Sequence, residues 1–310
     1  MTSLRNKIWC EKYRPKNFDD YIFNNQTQKT SLLKMMEDKN IPHLLFSGTQ
    51  GSGKTSLARI LISGLNLDNS DVLTINASDQ NSVDVMRENI KQFAMSCPMG
   101  DFKVVLLEEM DFLSLSSQAV LRSLMEDLAD SVRFVLTCNY LHKLMPAIIS
   151  RCQHFIFESL NKDDIAERLV VILHEEKVKI DLDVVYQYIE KYSPDVRKII
   201  NEIQKSVLNG ILSPLIQDSK SNTYKTNLLK LLEDDNWAEI RKMICNESSS
   251  DEIGDLYKFL YDNLHLTKKF SQSTKWEDGI CVIADYLYKH SICTDSEINM
   301  AACLIKLGKI

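Results

Sequence analysis

LLFSGTQGSGKTSL, residues Leu44–Leu57, contains the pattern G-x-x-x-x-G-K-[ST] at Gly48, Gly53, Lys54 and Thr55. An apolar run precedes the pattern and a helix-compatible segment follows it, which is the context that a phosphate-binding loop requires. Glycines let backbone N–H groups converge on phosphate oxygens, the lysine reaches the β- and γ-phosphates, and the hydroxyl can hold Mg²⁺. A chance match in a chain of this length is about a 1% event. The stretch therefore predicts nucleotide binding.

Composition describes an ordinary globular protein. The chain has 310 residues, 44% hydrophobic and 26% charged, which predicts about two or three domains. No apolar run approaches the roughly 20 residues of a membrane span, and the N-terminus has no secretory apolar region. The eight cysteines form no C-x-x-C pair, so we expect neither a zinc site nor a disulfide framework. We expect a cytoplasmic protein without a membrane partner. The net charge of −6 argues against indiscriminate polyanion binding but permits a local basic groove.

Two apolar runs downstream of the loop end in polar residues. Phe102–Leu107 is typical of a buried central strand and is followed by Glu108 and Glu109. Acidic residues at that end of a strand are where P-loop ATPases place Mg²⁺ and water-orienting carboxylates, although an acid-rich helix N-terminus has the same composition. Val132–Thr137 is the next strand, and Asn139 follows it. Alternating strands and helices over 44–157 predict a doubly wound α/β domain with a parallel sheet.

Helical patterns dominate the remainder. Helices are predicted at 163–177, 181–192, 194–212, 223–233, 236–245, 251–264, 275–290 and 294–307. Pro194 suits the first turn of a helix with Ser193 as its cap. The polar stretch Gln217–Asn222 is the best linker candidate. We predict an α/β domain at 1–158, a helical domain at 159–222 and a second helical domain at 223–310.

Near the N-terminus, Trp9 and Tyr13 lie four residues apart in a charged setting. They either anchor an N-terminal arm or close over a nucleotide base, and the sequence favours neither interpretation.

In their order along the chain, these motifs resemble the small ATPase subunits of DNA sliding-clamp loaders, the replication factor C small-subunit family of the AAA+ class. The resemblance is carried by Trp9 with Glu11–Pro15, Ile41–Gly48, Asn76–Asp79, Thr137–Tyr140 and Ser150–Cys152. The stretch Pro194–Lys198 is similar to the version found in myovirus phages. Residues 1–215 carry the resemblance, and the remainder fits only by length and helicity.

This resemblance implies an AAA+ P-loop domain, a helical lid domain and an all-α C-terminal collar used for oligomerisation. It implies an ATPase subunit that uses ATP and Mg²⁺ to open and load the polymerase clamp at primer–template junctions during DNA replication. The implied partners are the sliding clamp, the DNA backbone and other subunits of a pentameric spiral, several of them identical copies beside a distinct subunit. The implied location is host cytoplasm for a phage protein and the nucleus for a eukaryotic one.

The resemblance also implies roles for individual residues. Lys54 and Glu109 would be catalytic, Asn139 would be sensor 1, Arg197 would be sensor 2, and Arg151 would be an arginine finger that reaches the ATP of a neighbouring subunit. Asn76 would pair with Glu109 and switch its position. Mg²⁺ would be held by Thr55 and Glu108. The remaining nucleotide contacts would be Tyr13, Arg14, Pro15, Gly48, Gln50, Gly51, Ser52, Gly53 and Ser56.

Macromolecular contacts follow by the same resemblance. The DNA backbone would meet a helix N-terminus and a few cations, at Ser78, Asn81, Ser82, Arg87 and Arg122. Gln118 and Arg122 would couple DNA contact to Glu109. The clamp would dock on Met95–Phe102, through Met95, Met99 and Phe102, although this segment also fits a packed helix–strand connection.

Two departures from the family pattern leave alternatives open. Glu108 stands where the family has Asp, and Thr49 stands where it often has Pro. The longer acid at 108 suggests slower turnover. The alternatives are a catalytically silent scaffold subunit that binds ATP, and another AAA+ DNA remodeller.

Overall fold

The computed structural model describes residues 8–78, 83–215, 227–232, 239–240, 242–243, 250–267, 270, 273–290 and 292–310. Within it the chain divides into two compact units, residues 1–215 and 216–310. The predicted linker Gln217–Asn222 lies outside the described residues, so the three-domain division stays a prediction.

A five-stranded parallel sheet forms the centre of the first unit. Its strands are β1 (Leu44–Gly48), β2 (Val72–Asn76), β3 (Lys103–Glu108), β4 (Val132–Cys138) and β5 (Gln153–Phe157), in the spatial order β2-β3-β4-β1-β5. Every neighbouring pair is parallel. All six residues of β3 are buried, because a parallel strand covered on both faces needs a nearly continuous apolar run. The order places the ends of β3 and β4 beside the phosphate-binding loop, which confirms the predicted doubly wound sheet.

Helices cover both faces of the sheet. They are α1 (Trp9–Lys12), α2 (Gln26–Glu37), α3 (Lys54–Gly64), α4 (Val83–Met95), α5 (Leu115–Asp127) and α6 (Pro146–Ile149). Alternate residues of a strand point to opposite faces. Leu44 and Phe46 of β1 therefore pack with α2 and α3, whereas Leu45 packs with α4 and α5. The two apolar layers hold the strand ends in a fixed relation to α3.

A three-helix bundle follows the sheet. It consists of α7 (Lys162–Glu175), α8 (Leu182–Tyr192) and α9 (Val196–Ser206). The predicted helix 194–212 is wrong at both ends. The Ser193–Pro194 peptide is cis, and the helix begins at Val196 with Asp195, not Ser193, as its N-cap; the Asp195 Oδ1 accepts from the Lys198 N–H at 3.0 Å.

After α9 the chain forms a short antiparallel hairpin, although no strand was predicted here. It pairs β6 (Val207–Leu208) with β7 (Ile211–Leu212). Asn209 and Gly210 have φ of 52° and 76°, as required at the two central positions of a tight hairpin turn. The Asn-Gly pair is a typical hairpin-turn sequence, but it lies within the apolar periodicity from which a helix was predicted.

The described part of the second unit is mainly helical and contains no strand. Its helices are α10 (Ser250–Asn263), α11 (Ser273–His290) and α12 (Ser296–Gly308), and residues 227–232 are helical as well. Their core includes Leu228, Tyr257, Phe270, Ile283 and Leu304. Among the described helices of the whole chain, none is long and apolar enough to cross a membrane.

Candidate nucleotide-binding site

The phosphate-binding loop connects β1 to α3 and forms the floor of a cleft in the first unit. Gly51 and Gly53 have φ of 75° and 88°, a conformation that side chains with a Cβ rarely adopt. A Cβ at Gly51 would lie 1.9 Å from the Asp195 Oδ1, and a Cβ at Gly53 would lie 2.8 Å from the Tyr21 hydroxyl. The glycines therefore permit both the loop's path and the close approach of its neighbours.

Lys54 is held in place by the loop itself. Its side chain is 94% buried, and Nζ donates to the Gly48 and Thr49 carbonyls at 2.9 and 2.7 Å. Burial lowers the pKa of this ammonium to about 8. The Lys54 ammonium has no ion-pair partner among the described residues, and an anion bound in the cleft would neutralise its charge.

Polar groups at the ends of β3 and β4 are tied to each other. Glu109 has φ of 57°, and its backbone N–H donates to the Thr137 hydroxyl at 3.2 Å. Asp111 is buried, and its Oδ1 accepts from the backbone N–H of Asn139 at 2.9 Å. Asp111 thereby fixes the main chain of the residue predicted as sensor 1, a role that sequence reasoning missed. Burial, together with the Asp111 charge, raises the pKa of Cys138 to about 12.

Four predicted site residues point unused polar groups at the cleft. Thr55, Glu109, Asn139 and Arg197 all line it. Their side chains make no hydrogen bond or ion pair with any residue that the structure describes. Thr55, Glu109 and Asn139 are half-buried, and polar groups at such positions are normally paired within a protein, whereas Arg197 is exposed. These donors and acceptors lie around the loop that carries the Lys54 ammonium. A bound nucleotide phosphate with its metal ion would give them partners.

The structure brings most of the predicted nucleotide contacts together. The other predicted residues that line the cleft are Tyr13, Arg14, Pro15, Gln50, Gly51, Ser52, Gly53, Lys54 and Ser56. Gly48 ends β1 and contributes its carbonyl to Lys54.

Glu108 is the predicted metal residue that does not line the cleft. Its Oε1 accepts from the Nε and Nη2 of Arg59 at 3.0 and 2.8 Å. Arg59 lies on α3 and was not predicted to take part in the site. The oxygen donors at this edge, the Thr55 hydroxyl and the two carboxylates Glu108 and Glu109, are of the type that a hard divalent cation prefers.

Trp9 and Tyr13 occupy different environments: Trp9 anchors the N-terminal segment, and Tyr13 lies at the cleft. Trp9 is buried in the core of α7–α9, and its backbone N–H donates to the Gln204 Oε1 at 2.9 Å. Tyr13 lines the cleft while its hydroxyl donates to Glu176 at 2.7 Å. Arg14 donates to the Ser56 hydroxyl at 3.1 Å, and burial lowers its pKa. The arm is thus anchored at Trp9, and its next residues, from Cys10 to Pro15, contribute to the lining of the cleft.

Tyr21 and Arg168 also belong to the cleft, and sequence reasoning missed both. The Tyr21 hydroxyl donates to the Ser52 carbonyl at 3.3 Å, beneath the loop. Arg168 on α7 donates to the Tyr13 carbonyl at 3.2 Å. Neither residue belongs to a local motif, because each reaches the site through tertiary contacts.

Arg151 lies apart from the cleft of its own chain. It is exposed, forms an ion pair with Glu126 and donates to the Ala147 carbonyl at 2.6 Å. Its predicted role in a neighbouring subunit stays a prediction that this position permits.

Two residues predicted to act on Glu109 have other partners in the structure. Gln118 is buried: its amide donates to the Leu113 and Lys143 carbonyls, and its Oε1 accepts from the Met145 N–H, so its coupling of DNA contact to Glu109 stays a prediction. The Asn76 Oδ1 accepts from Ser78, at 3.1 Å from the backbone N–H and 3.0 Å from the hydroxyl. A pairing with Glu109 would need the Asn76 Nδ2 as donor, and that nitrogen donates to no described residue.

Of the predicted DNA contacts, Ser78, Arg87 and Arg122 are exposed. Asn81 and Ser82 lie outside the described residues.

Of the three residues predicted to contact the clamp, two are exposed and one is buried. Met95 and Met99 are 84% and 79% exposed, whereas Phe102 is 6% exposed and packs in the core around β1 and α3. Including Phe102 was therefore wrong, because its side chain points into the core at the entrance to β3. Asp71 holds the segment from below by accepting from the N–H groups of Met99 and Gly100.

Comparison with known proteins gives consistent matches. Residues 44–160 match the family model "ATPase family associated with various cellular activities (AAA)". The chain is 34% identical to the replication factor C small subunit of Sulfurisphaera tokodaii over 322 aligned positions, covering 97% of this chain and 95% of the relative. It is 41% identical to that of Archaeoglobus fulgidus over 209 positions, 66% and 65% of the two chains. The Thermotoga maritima RuvB Holliday junction branch migration motor superposes with a TM-score of 0.55 at 18% identity, over 71% of this chain and 79% of that one, a similarity of fold alone.

Proposed function

The chain belongs to the replication factor C small-subunit family, the AAA+ ATPase subunits of clamp loaders in DNA replication, and from that premise we propose that it uses ATP with Mg²⁺ to open and load a polymerase clamp at primer–template junctions. One observation carries the assignment of the site: the free polar ends of Thr55, Glu109, Asn139 and Arg197 converge on the loop that holds Lys54. The bound cation would neutralise phosphate charge.

Each of these residues has a distinct task in the proposal. Lys54 binds the outer phosphates, and the N-terminus of α3 supplies N–H groups to them. Glu109 orients the attacking water, and Asn139 fixes the geometry at the γ-phosphate. Arg197 contacts the phosphates from α9, so α9 follows the state of the ligand. Thr55 and Glu108 hold the cation.

Assembly completes the site in the proposal. Arg151 reaches the ATP held by an adjacent subunit of a pentameric spiral, which contains several copies of this chain beside a distinct subunit. A charge supplied in trans makes turnover depend on assembly. Ser78, Arg87 and Arg122 face the DNA backbone, and Met95 and Met99 face the clamp, since flexible methionines suit an adaptable contact.

The test of this function is stimulated turnover. We expect ATP hydrolysis by the assembled complex to rise when primer–template DNA and clamp are added together, because the assembled interface orders Glu109 and Arg151 around the phosphates. Steady-state phosphate release, measured with neither component, with each alone and with both, checks this. Unstimulated hydrolysis in all four conditions would contradict loading.

A silent scaffold subunit remains the second candidate, because Glu108 is bound to Arg59 instead of facing the cleft. It predicts that Lys54→Ala in this subunit leaves the turnover of the whole complex unchanged. The loader predicts a loss, so the same assay separates the two.

Nucleotide affinity should depend on pH through Lys54. Its pKa is about 8 in the free protein, and a bound phosphate favours the ammonium, so binding takes up an increasing fraction of a proton as the pH rises through 8. The contribution of Lys54 to affinity should be nearly constant below pH 7 and fall about tenfold between pH 7 and 9. Titration calorimetry with a non-hydrolysable ATP analogue, in two buffers of different ionisation enthalpy, measures the proton uptake.

Lys54→Arg is the matched control for this pH dependence. An arginine keeps its charge throughout the range, so this variant should bind, if more weakly, without proton uptake. A wild-type protein that takes up no proton at pH 9 would contradict the assignment.

A further inference from the structure

Glu108 is a buried carboxylate whose charge is balanced by one cation from the adjacent helix. Its side chain is 12% exposed at the end of β3, all of whose residues are buried. Both Nε and Nη2 of Arg59 donate to the same oxygen, Oε1, at 3.0 and 2.8 Å. Because two donors are directed at one acceptor, the Glu108 side chain is held in a rotamer that points toward Arg59. Oε2 makes no hydrogen bond with any described residue.

Arg59 and Thr55 are placed to share this carboxylate. They are four residues apart in α3, so they lie one turn apart on the same face of the helix. The Thr55 hydroxyl lines the cleft, and the Arg59 guanidinium lies one turn farther from it. A carboxylate bound by Arg59 is therefore a short side-chain movement from the position beside Thr55, where a cation would sit.

Charge makes the two positions compete. A divalent cation at Thr55 and the guanidinium of Arg59 would both attract Glu108 and would repel each other. Arg14 adds to this positive surrounding: burial lowers its pKa, and the charge of Arg59 lowers it further. The acidic groups near this strand end are Glu108, Glu109 and Asp111, and the Asp111 Oδ1 is already bound by the Asn139 N–H. Removing the guanidinium charge should release Glu108 to the cation.

We propose that Arg59 is a positioning residue that holds Glu108 away from the cleft and sets the Mg²⁺ concentration at which the nucleotide binds. The proposal rests on the proposed ATP site and deepens it. In the absence of metal, Arg59 balances the buried carboxylate. When the cation binds, Glu108 turns from Arg59 toward Thr55, so this ion pair is the switch between the two states.

The test is a Mg²⁺ titration of nucleotide binding. With a non-hydrolysable ATP analogue and the full-length chain, calorimetry gives the Mg²⁺ concentration at half-saturation. Arg59→Gln removes the charge and leaves a shorter polar side chain. It should lower that concentration about two- to fivefold, the range expected for loss of a half-exposed ion pair. Arg59→Lys, which restores a charge, should return the value toward wild type.

Shortening the side chain at position 108 gives a second, independent test. Glu108→Asp withdraws the carboxylate by one methylene, about 1.5 Å, which breaks the contact with Arg59. In that background Arg59→Gln should have a smaller effect on the Mg²⁺ concentration than in the wild type, because only the direct repulsion between the guanidinium and the cation remains. Additive effects of the two changes would show that the residues act separately and would overturn the proposal.

The remaining outcomes are equally decisive. An unchanged or raised Mg²⁺ requirement in Arg59→Gln, with tight nucleotide binding at saturating Mg²⁺, overturns the role of Arg59 and leaves the ATP site intact. A wild-type chain that binds no nucleotide at any Mg²⁺ concentration contradicts the proposed function instead. Thermal unfolding in EDTA confirms that each variant is folded, and if Arg59→Gln is not, Arg59→Lys and Glu108→Asp decide the question.

Discussion

A complex assembled with Arg151→Ala subunits is expected to hydrolyse ATP about 10³-fold or more slowly than wild type, because an arginine supplied in trans has an effect of that size in phosphoryl transfer. Nucleotide affinity of the isolated chain should not change, since Arg151 does not line its own cleft. Phosphate release by the complex with DNA and clamp, beside calorimetry of the single chain, measures the two quantities separately.

Glu126→Gln is the matched control for Arg151→Ala. It weakens the same surface ion pair but keeps the guanidinium. Its turnover should stay within a few-fold of wild type, because exposed ion pairs contribute little to stability. If Glu126→Gln slows hydrolysis as much as Arg151→Ala, the arginine acts by holding its own chain together and not by reaching a neighbour.

Glu109→Gln should slow the chemical step about 10²- to 10⁴-fold, the usual contribution of a positioned base. The amide matches the carboxylate in size, and the backbone of Glu109, fixed by Thr137, should keep its left-handed conformation. ATP binding should persist, so the variant complex should accumulate with intact ATP. Single-turnover hydrolysis, followed after mixing the loaded complex with DNA and clamp, measures the step directly.

Glu37→Gln, an equally conservative change at an exposed position at the end of α2, controls for loss of one charge. It should leave single-turnover hydrolysis unchanged. Loss of ATP binding in Glu109→Gln would argue that this carboxylate holds the ligand and does not act on water.

The sheet was predictable because its signals are local. Leu44–Phe46 and Phe102–Leu107 are nearly continuous apolar runs, and only a strand buried on both faces requires such a run. The loop residues follow from a motif in which glycine, lysine and hydroxyl each have a chemical reason for their place. The predicted helix bounds in the first unit were less accurate where turn signals competed with periodicity, as at Pro194 and at Asn209-Gly210.

The remaining features depend on contacts between residues distant in sequence. Gln118 precedes Leu121 and Met125 at the spacing of the buried face of α5, but its polar amide gave no sign of partners there; the Leu113 and Lys143 carbonyls that accept from it come from connections distant in sequence or outside the helix. The pairing of Arg59 with Glu108 joins residues 49 positions apart, and neither residue alone predicts the other. Phe102 is the first residue of the apolar run Phe102–Leu107, and its side chain faces the core and not the solvent. Burial and pairing of this kind can be assigned only once the packing of the sheet and its helices is known.

The burial of Trp9 among α7–α9 has a practical consequence. The sequence contains three tryptophans, and Trp9 is the only one within residues 1–215, a few residues from the segment that lines the cleft. Its indole emission is sensitive to the polarity of its surroundings. A shift of these helices that follows the ligand through Arg197 would therefore change the intrinsic ultraviolet spectrum of the unlabelled protein.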